Sequence, residues 1–324
     1  MRALQQTSFN GPKDMRLIAD MPVPVPRAGE LLIRVIAAGV NFADLSRAYG
    51  TFKDGPQPPY IAGFEAAGEV VATGDSSDAP ERGRLVVGVG VGAFAEYVIF
   101  PAAAALPVPP GWTAAQALGL VVNWPTALAA LKALGHLAAG ETVLVHAAAG
   151  ATGQAAVRIA KHCGATVIGT AARSKHDKVR ALGADHVLDS ASNELAAQVL
   201  KLTGGVGADL VLESAGGSTL NESLAAARRV TGRVVVYGLA GGEAIISNWD
   251  LVYRHQVHLM GLNIGALAQF APRTFGEMMG ELAALIASGV VPPVEPTSYA
   301  LADGPEALKN LEDRLTVGKL SLLC

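Results

Sequence analysis

From Thr142 to Gly153 the chain reads Thr-Val-Leu-Val-His-Ala-Ala-Ala-Gly-Ala-Thr-Gly, a short apolar run followed by small residues. Ala148, Gly150 and Gly153 give the spacing A-x-G-x-x-G, a relaxed form of the fingerprint with which a strand-to-helix turn receives a dinucleotide pyrophosphate. Glycine at 150 lets the backbone approach the phosphates, and the N–H groups at the helix start, around Ala151 and Thr152, would hold them. Glycine at 153 lets helix and strand pack closely. The same Ala/Gly-rich turn also serves as plain packing in α/β folds.

Choice of cofactor is read about 20 residues past the glycines, where an acid would accept from a ribose 2′-hydroxyl. Here the next strand runs into Thr170-Ala-Ala-Arg-Ser-Lys175, with no acid before Asp177. Arg173 and Lys175 suit a 2′-phosphate and Ser174 can donate to it, which points to NADPH; the alternative is a solvated basic turn.

Polar side chains also cluster early in the chain. Within Gly39-Val-Asn-Phe-Ala-Asp44, the Asn41 amide suits polarising a substrate carbonyl, and Asp44 suits ordering water or a nicotinamide ribose. Asn and Asp also cap turns and helices. Glu65, in Gly63-Phe-Glu65, is expected to be structural, because an acid near a hydride path destabilises electron-rich intermediates unless paired or protonated. His146, at a strand end, is expected to be a satisfied core-edge histidine. Tyr49, Phe52 and Trp124 fit either a pocket lining or ordinary packing.

The elements that must position these groups fall into two textures. The first 110 residues carry short β-type runs (31–37, 68–73, 85–89, 95–100) broken by Pro and Gly, the pattern of a compact, irregular β-barrel. Helices are expected at 113–118 and 125–134, with a boundary near residue 120. From Glu141 onward six strand candidates (142–146, 166–169, 186–188, 210–212, 233–237, 258–262) alternate with helices at 152–162, 175–182, 193–202 and 219–229. That alternation predicts right-handed βαβ units and a doubly wound parallel sheet. A helix at 273–288 and a last strand at 319–322 follow.

A chain of 324 residues is long for a single core, so two domains are expected. With 51% hydrophobic and 16% charged residues, disorder is excluded. Mean hydropathy is +0.35, yet every apolar run is interrupted well short of the roughly 18 to 20 residues a spanning helix needs. No leader pattern occupies the first twenty residues, and two distant cysteines, Cys163 and Cys324, offer neither a disulfide framework nor a zinc knuckle. A reducing cytoplasm fits. A net charge of −3, 5% aromatics and no basic run argue against a nucleic-acid face and for small-molecule partners.

The segments 39–44 and 63–65, with Gly92-Ala-Phe-Ala-Glu-Tyr97, Val122-Asn-Trp-Pro-Thr126, the 148–153 turn, Ala181-Leu-Gly-Ala-Asp185 and Glu213-Ser-Ala-Gly-Gly217, together resemble one family across the whole chain. It is the zinc-free quinone oxidoreductase (zeta-crystallin-like) branch of the medium-chain dehydrogenase/reductase superfamily. The resemblance implies an α/β protein with a GroES-like β-barrel catalytic domain (1–120 and 265–324) and a Rossmann doubly wound parallel-sheet domain (121–264) binding NADPH. It implies a homodimer that reduces quinones or related conjugated carbonyls. It places Asn41, Asp44 and Thr126 at the reacting centre, Thr126 facing the nicotinamide. Lys178, Gly238, Asn263 and Lys319 join 148, 150–153 and 173–175 as cofactor contacts. Where zinc-dependent members carry Cys, His and Cys ligands this chain has Asn41, Phe64 and Val122, and the four-cysteine lobe is missing, so no metal is expected. Ala151 stands where the family usually has Gly. Alternatives are an enoyl-thioester or 2-alkenal reductase on the same fold, and a cofactor-binding structural or RNA-binding protein without significant turnover.

Overall fold

The computed structural model describes residues 1–74 and 80–324. Chain contacts divide it into two compact units, residues 1–121 with 293–324, and residues 122–292.

Unit 1 is built on β-strands. β1 (Ala3–Gln6) and β2 (Met15–Ile18) pair antiparallel, and the 11-residue β3 (Glu30–Val40) leads directly into α1 (Phe42–Ala48). β4 (Tyr60–Ile61) adds to β1, giving a small sheet in the order β2-β1-β4. β5 (Glu65–Thr73), β6 (Leu85–Val89), β7 (Tyr97–Pro101) and β8 (Leu106–Pro107) join a larger one. β3 is its spine: one edge takes β5, and its first residues pair with β7. Inside lies a core of Leu31, Ile33, Val86, Phe94 and Phe100, all buried. The expected helix at 113–118 is instead a series of tight turns, in which Ala117 N–H bonds both Thr113 O and Ala114 O. Within the series Gly119 has φ +93°, a left-handed conformation that a non-glycine residue adopts only with strain.

Unit 2 opens with α2 (Asn123–Leu128), which continues through one wider turn, with Leu134 N–H bonded to Ala129 O, so that the helix expected at 125–134 is regular only in its first half. Strand and helix then alternate as β9 (Thr142–Val145), α3 (Ala151–His162), β10 (Thr166–Ala171), α4 (His176–Ala181), β11 (His186–Asp189), α5 (Leu195–Leu202), β12 (Leu210–Glu213), α6 (Gly217–Ala226), β13 (Arg233–Val236) and β14 (His258–Gly261). All six strands pair in parallel in the order β11-β10-β9-β12-β13-β14. The strands are near-continuous apolar runs because helices cover both faces, and the order reverses at β9, the switch point at which such sheets take ligands. Leu144, Ile168, Val211 and Val234 are central to the core.

α7 (Ile264–Phe270) and α8 (Pro272–Ala287) complete this unit. α8 packs on α2, so the chain leaves unit 2 at 292/293 and not at 264/265, where the sequence placed a domain limit. It returns to unit 1 with β15 (Thr297–Ala300), α9 (Gly304–Glu312) and β16 (Leu320–Leu323), the last pairing with the far end of β3. Among the described residues no helix is long and apolar enough to cross a membrane.

Candidate active site

In unit 1 the register brings three distant segments to one point. Gly39 of β3 stands opposite Glu65 of β5 on one side and Ser321 of β16 on the other, so Asn41, Glu65 and Lys319 meet just past the paired residues. Lys319 Nζ donates to Asn41 Oδ1 (2.8 Å) and to Glu65 Oε2 (2.5 Å), and Asn41 Nδ2 donates to the same Oε2 (2.8 Å) and, at 3.3 Å, to Gly39 O. The other Glu65 oxygen accepts the Gly119 N–H. A Cβ at residue 39 would lie 2.5 Å from Glu65 Oε2, so the cluster requires glycine there. Glu65 is fully buried and the Lys319 side chain is 9% exposed. Deleting either partner of such a pair strands a buried charge, at about 3 to 5 kcal/mol. Glu65 therefore has the partner that the structural reading required of it.

Asn41 is the N-cap of α1. Its backbone N–H donates to Asp44 Oδ2 (2.9 Å) and Asp44 N–H returns to Asn41 O (3.0 Å). Burial pushes the Asp44 carboxyl up to about 7, against the opposing effects of the Asn41 hydrogen bond and the nearby Arg47 charge. Asp44 Oδ1 is buried without a hydrogen-bond partner. Lys319, expected as a cofactor contact, is thus tied to Asn41 and Glu65, and the Asn41 amide, expected to face a carbonyl, has its shorter bond to Glu65.

In unit 2 the expected cofactor residues lie at the carboxyl edge of the parallel sheet. β9 is followed by His146, whose N–H bonds Leu212 O, and Ala147 turns the chain at φ +49°. Ala148 N–H then bonds Thr170 O (2.9 Å) and Gly150 caps α3. A Cβ on Gly153 would meet Ala147 O at 2.2 Å, so this close turn admits glycine alone. The first intrahelical bond of α3 is Gln154 N–H to Gly150 O, which leaves the N–H groups of Ala151, Thr152 and Gly153 ahead of it, at the positive end of the helix. Gly238 follows β13, where a Cβ would lie 2.5 Å from Ser214 O, and Asn263 follows β14 as the N-cap of α7, Oδ1 accepting from Ala266 N–H (3.1 Å).

Arg173, Ser174 and Lys175 form a short 3-10 turn after β10, and Lys178 lies exposed on α4. Sequence spacing placed no acid here, but β11 runs beside β10 and brings Asp189 opposite Ala171. Arg173 Nε donates to Asp189 Oδ2 at 2.6 Å while 85% of the Arg173 side chain remains exposed. The acid arrives through the sheet, from well beyond the window about 20 residues past the glycines in which a linear search looks for it.

Thr126 is mostly buried in α2, and its hydroxyl donates to Val122 O (2.6 Å), the use a helix-start threonine ordinarily makes of it. Its neighbour Asn123 was passed over in the sequence and links α2 to the turn, Nδ2 donating to Thr152 Oγ1 at 3.1 Å. His146 is buried, with Nε2 2.9 Å from Ser223 Oγ and Nδ1 3.3 Å from Thr170 Oγ1. Burial lowers its pKa against the pull of the Glu213 charge. It is a satisfied core histidine. Among the described residues no group of three His, Cys, Asp or Glu stands where it could hold a metal ion.

Residues 27–110 match the alcohol dehydrogenase GroES-like domain and residues 151–284 the zinc-binding dehydrogenase domain. The solved structure of the mycobacterial protein Rv1454c complexed with NADPH is 32% identical, with a TM-score of 0.93 and full coverage of both chains. The Escherichia coli quinone oxidoreductase, also complexed with NADPH, is 27% identical with a TM-score of 0.92, again over both whole chains. Erythronolide synthase EryA2 of Saccharopolyspora erythraea is 35% identical over 91% of this chain. The chain spans only 8% of that synthase's length.

Proposed function

Since the chain belongs to the medium-chain dehydrogenase/reductase superfamily, in its zinc-free quinone oxidoreductase-like branch, we propose that it is an NADPH-dependent reductase of quinones or related conjugated carbonyls. The observation that carries this reading is the 147–153 turn. Its glycine-only contact at 153 and the helical N–H groups left ahead of Gln154 are the features with which such a turn receives a dinucleotide pyrophosphate. Ala148, Gly150, Ala151, Thr152 and Gly153 would hold the pyrophosphate. Arg173, Ser174, Lys175 and Lys178 would hold the 2′-phosphate, the guanidinium having only its Nε engaged by Asp189. Gly238 and Asn263, on the same edge of the sheet, would flank the rest of the cofactor.

NADPH, when bound, supplies the hydride. The protein's own task is to stabilise the negative charge that develops on the acceptor oxygen. Asn41 is the proposed donor. Lys319 polarises its amide from the carbonyl side, and the 3.3 Å bond to Gly39 O is the weaker of the two Nδ2 bonds, the one an acceptor oxygen would displace. Glu65 holds that amide in place, and Asp44 holds the Asn41 backbone N–H. Thr126, its hydroxyl directed to the helix backbone, would contribute its methyl face and not a proton. No step calls for a metal. The same reading makes the protein a cytoplasmic homodimer acting on small molecules. The dimer is supported by the edge position of β14 and by the exposed Ile245, Trp249 and Tyr253 in unit 2.

Asn41→Ala tests the assignment of the donor. Loss of one oxyanion donor should lower kcat by about 10- to 1000-fold and leave NADPH affinity within a few-fold. A variant that melts early but reduces quinone at the parental rate would make Asn41 a cap only.

A further inference from the structure

Arg47 lies in the last turn of α1, with its guanidinium carbon 4.5 Å from the centre of the Phe64 ring and 4.9 Å from that of Phe52. Among the described residues the guanidinium makes no hydrogen bond and no ion pair, and its Nε is buried without a partner. Its nearest acid on the helix, Asp44, is a poor counter-ion, because burial holds that carboxyl up to about 7 and no ion pair joins the two. Glu65, the other acid of the cluster, is already matched by Lys319.

An arginine fixed over two aromatic faces has lost most of its rotamer freedom, and its planar fork of donors is preorganised for an oxyanion. Binding there therefore costs little further ordering. Phe64, which forms one wall of the clamp, directly precedes Glu65, which in turn holds Asn41. The clamp and the proposed carbonyl donor thus belong to one rigid corner of unit 1.

We propose that Arg47 is an anion-recognition site for the acceptor, so that the preferred substrates are conjugated carbonyls carrying a carboxylate. This rests on the reductase reading for the word acceptor, but the site itself can be tested by binding alone. An oxyanion could also come from a phosphate of NADPH. The acceptor is favoured because Arg47 shares its corner with Asn41, whereas the cofactor phosphates are assigned to the turns of unit 2.

The probes are 3-benzoylacrylate, a conjugated ketone with a carboxylate, and its neutral primary amide, titrated calorimetrically into the full chain with NADP⁺ present. The carboxylate should bind about tenfold or more tightly than the amide, as one charge-assisted contact gives. Arg47→Met should bring the ratio close to one, and Arg47→Lys should leave it in between. Equal affinities in the parent protein, or a ratio unchanged in both variants, would overturn the proposal. So would a loss of NADPH affinity in Arg47→Met with the ratio intact, which assigns the guanidinium to the cofactor. If Arg47→Met does not fold, the parent ratio and the lysine variant decide. Selective carboxylate binding in the presence of NADP⁺ upholds the site whether or not NADPH reduces this ketone, so the site and the reductase reading fail separately.

Discussion

Asp44 is where a single residue's protonation bears most on the fold. Its folded pKa of about 7 lies above the ordinary 3.8, so between these values the folded chain keeps a proton that the unfolded chain has released. Stability therefore falls as pH rises through that window and levels off above it. Asp44→Asn retains an acceptor for the Asn41 N–H and removes the titration. Between about pH 5 and about pH 8 the melting temperature of the parent protein should drop more than that of the variant. Parallel curves would place the titration elsewhere. Residue types alone offered the capping half of this account as an alternative to catalysis, since Asn and Asp both cap turns and helices. The other half was beyond their reach. Lys319 meets Asn41 only because β16 returns along β3 after more than two hundred residues, and nothing in the local spacing of either residue points to the other.

Among the elements, the parallel sheet was the most legible part of the fold. All six strands of unit 2 are where their apolar runs placed them, because buried parallel strands advertise themselves as unbroken Val, Ile and Leu. Short elements were hidden. α1 and α9 are 7 and 9 residues long, and tertiary packing decides helices of that length more than propensity does. The turn after β10 shows the limit of reading along the chain. Its basic residues were evident, but the acid paired with Arg173 comes from the neighbouring strand. An exposed ion pair of this kind contributes at most about 1 kcal/mol, too little to keep Arg173 from a 2′-phosphate. Arg173→Ala should weaken NADPH binding by roughly tenfold or more and spare NADH. Equal loss for both cofactors, measured by fluorescence titration, would remove the turn from cofactor selection.

At the level of the whole molecule, the chain makes one unit from its two ends and the other from its middle. Texture alone suggested a first crossing near residue 120, where β-type runs give way to helix. The second was obscure because α8 looks like a helix of either unit until its packing on α2 is seen. The central claim is that this chain moves a hydride from NADPH to a conjugated carbonyl with its own residues and no metal. It is tested most directly by single-turnover mixing of the chelator-treated protein, bound to NADPH deuterated at the transferred position, with a quinone, a 2-alkenal and an enoyl thioester in turn. The account predicts that at least one acceptor is reduced with one equivalent of NADPH consumed, and that deuterium slows the step. NADPH that binds and stays reduced with all three acceptors, or turnover that appears only when zinc is restored, would contradict it.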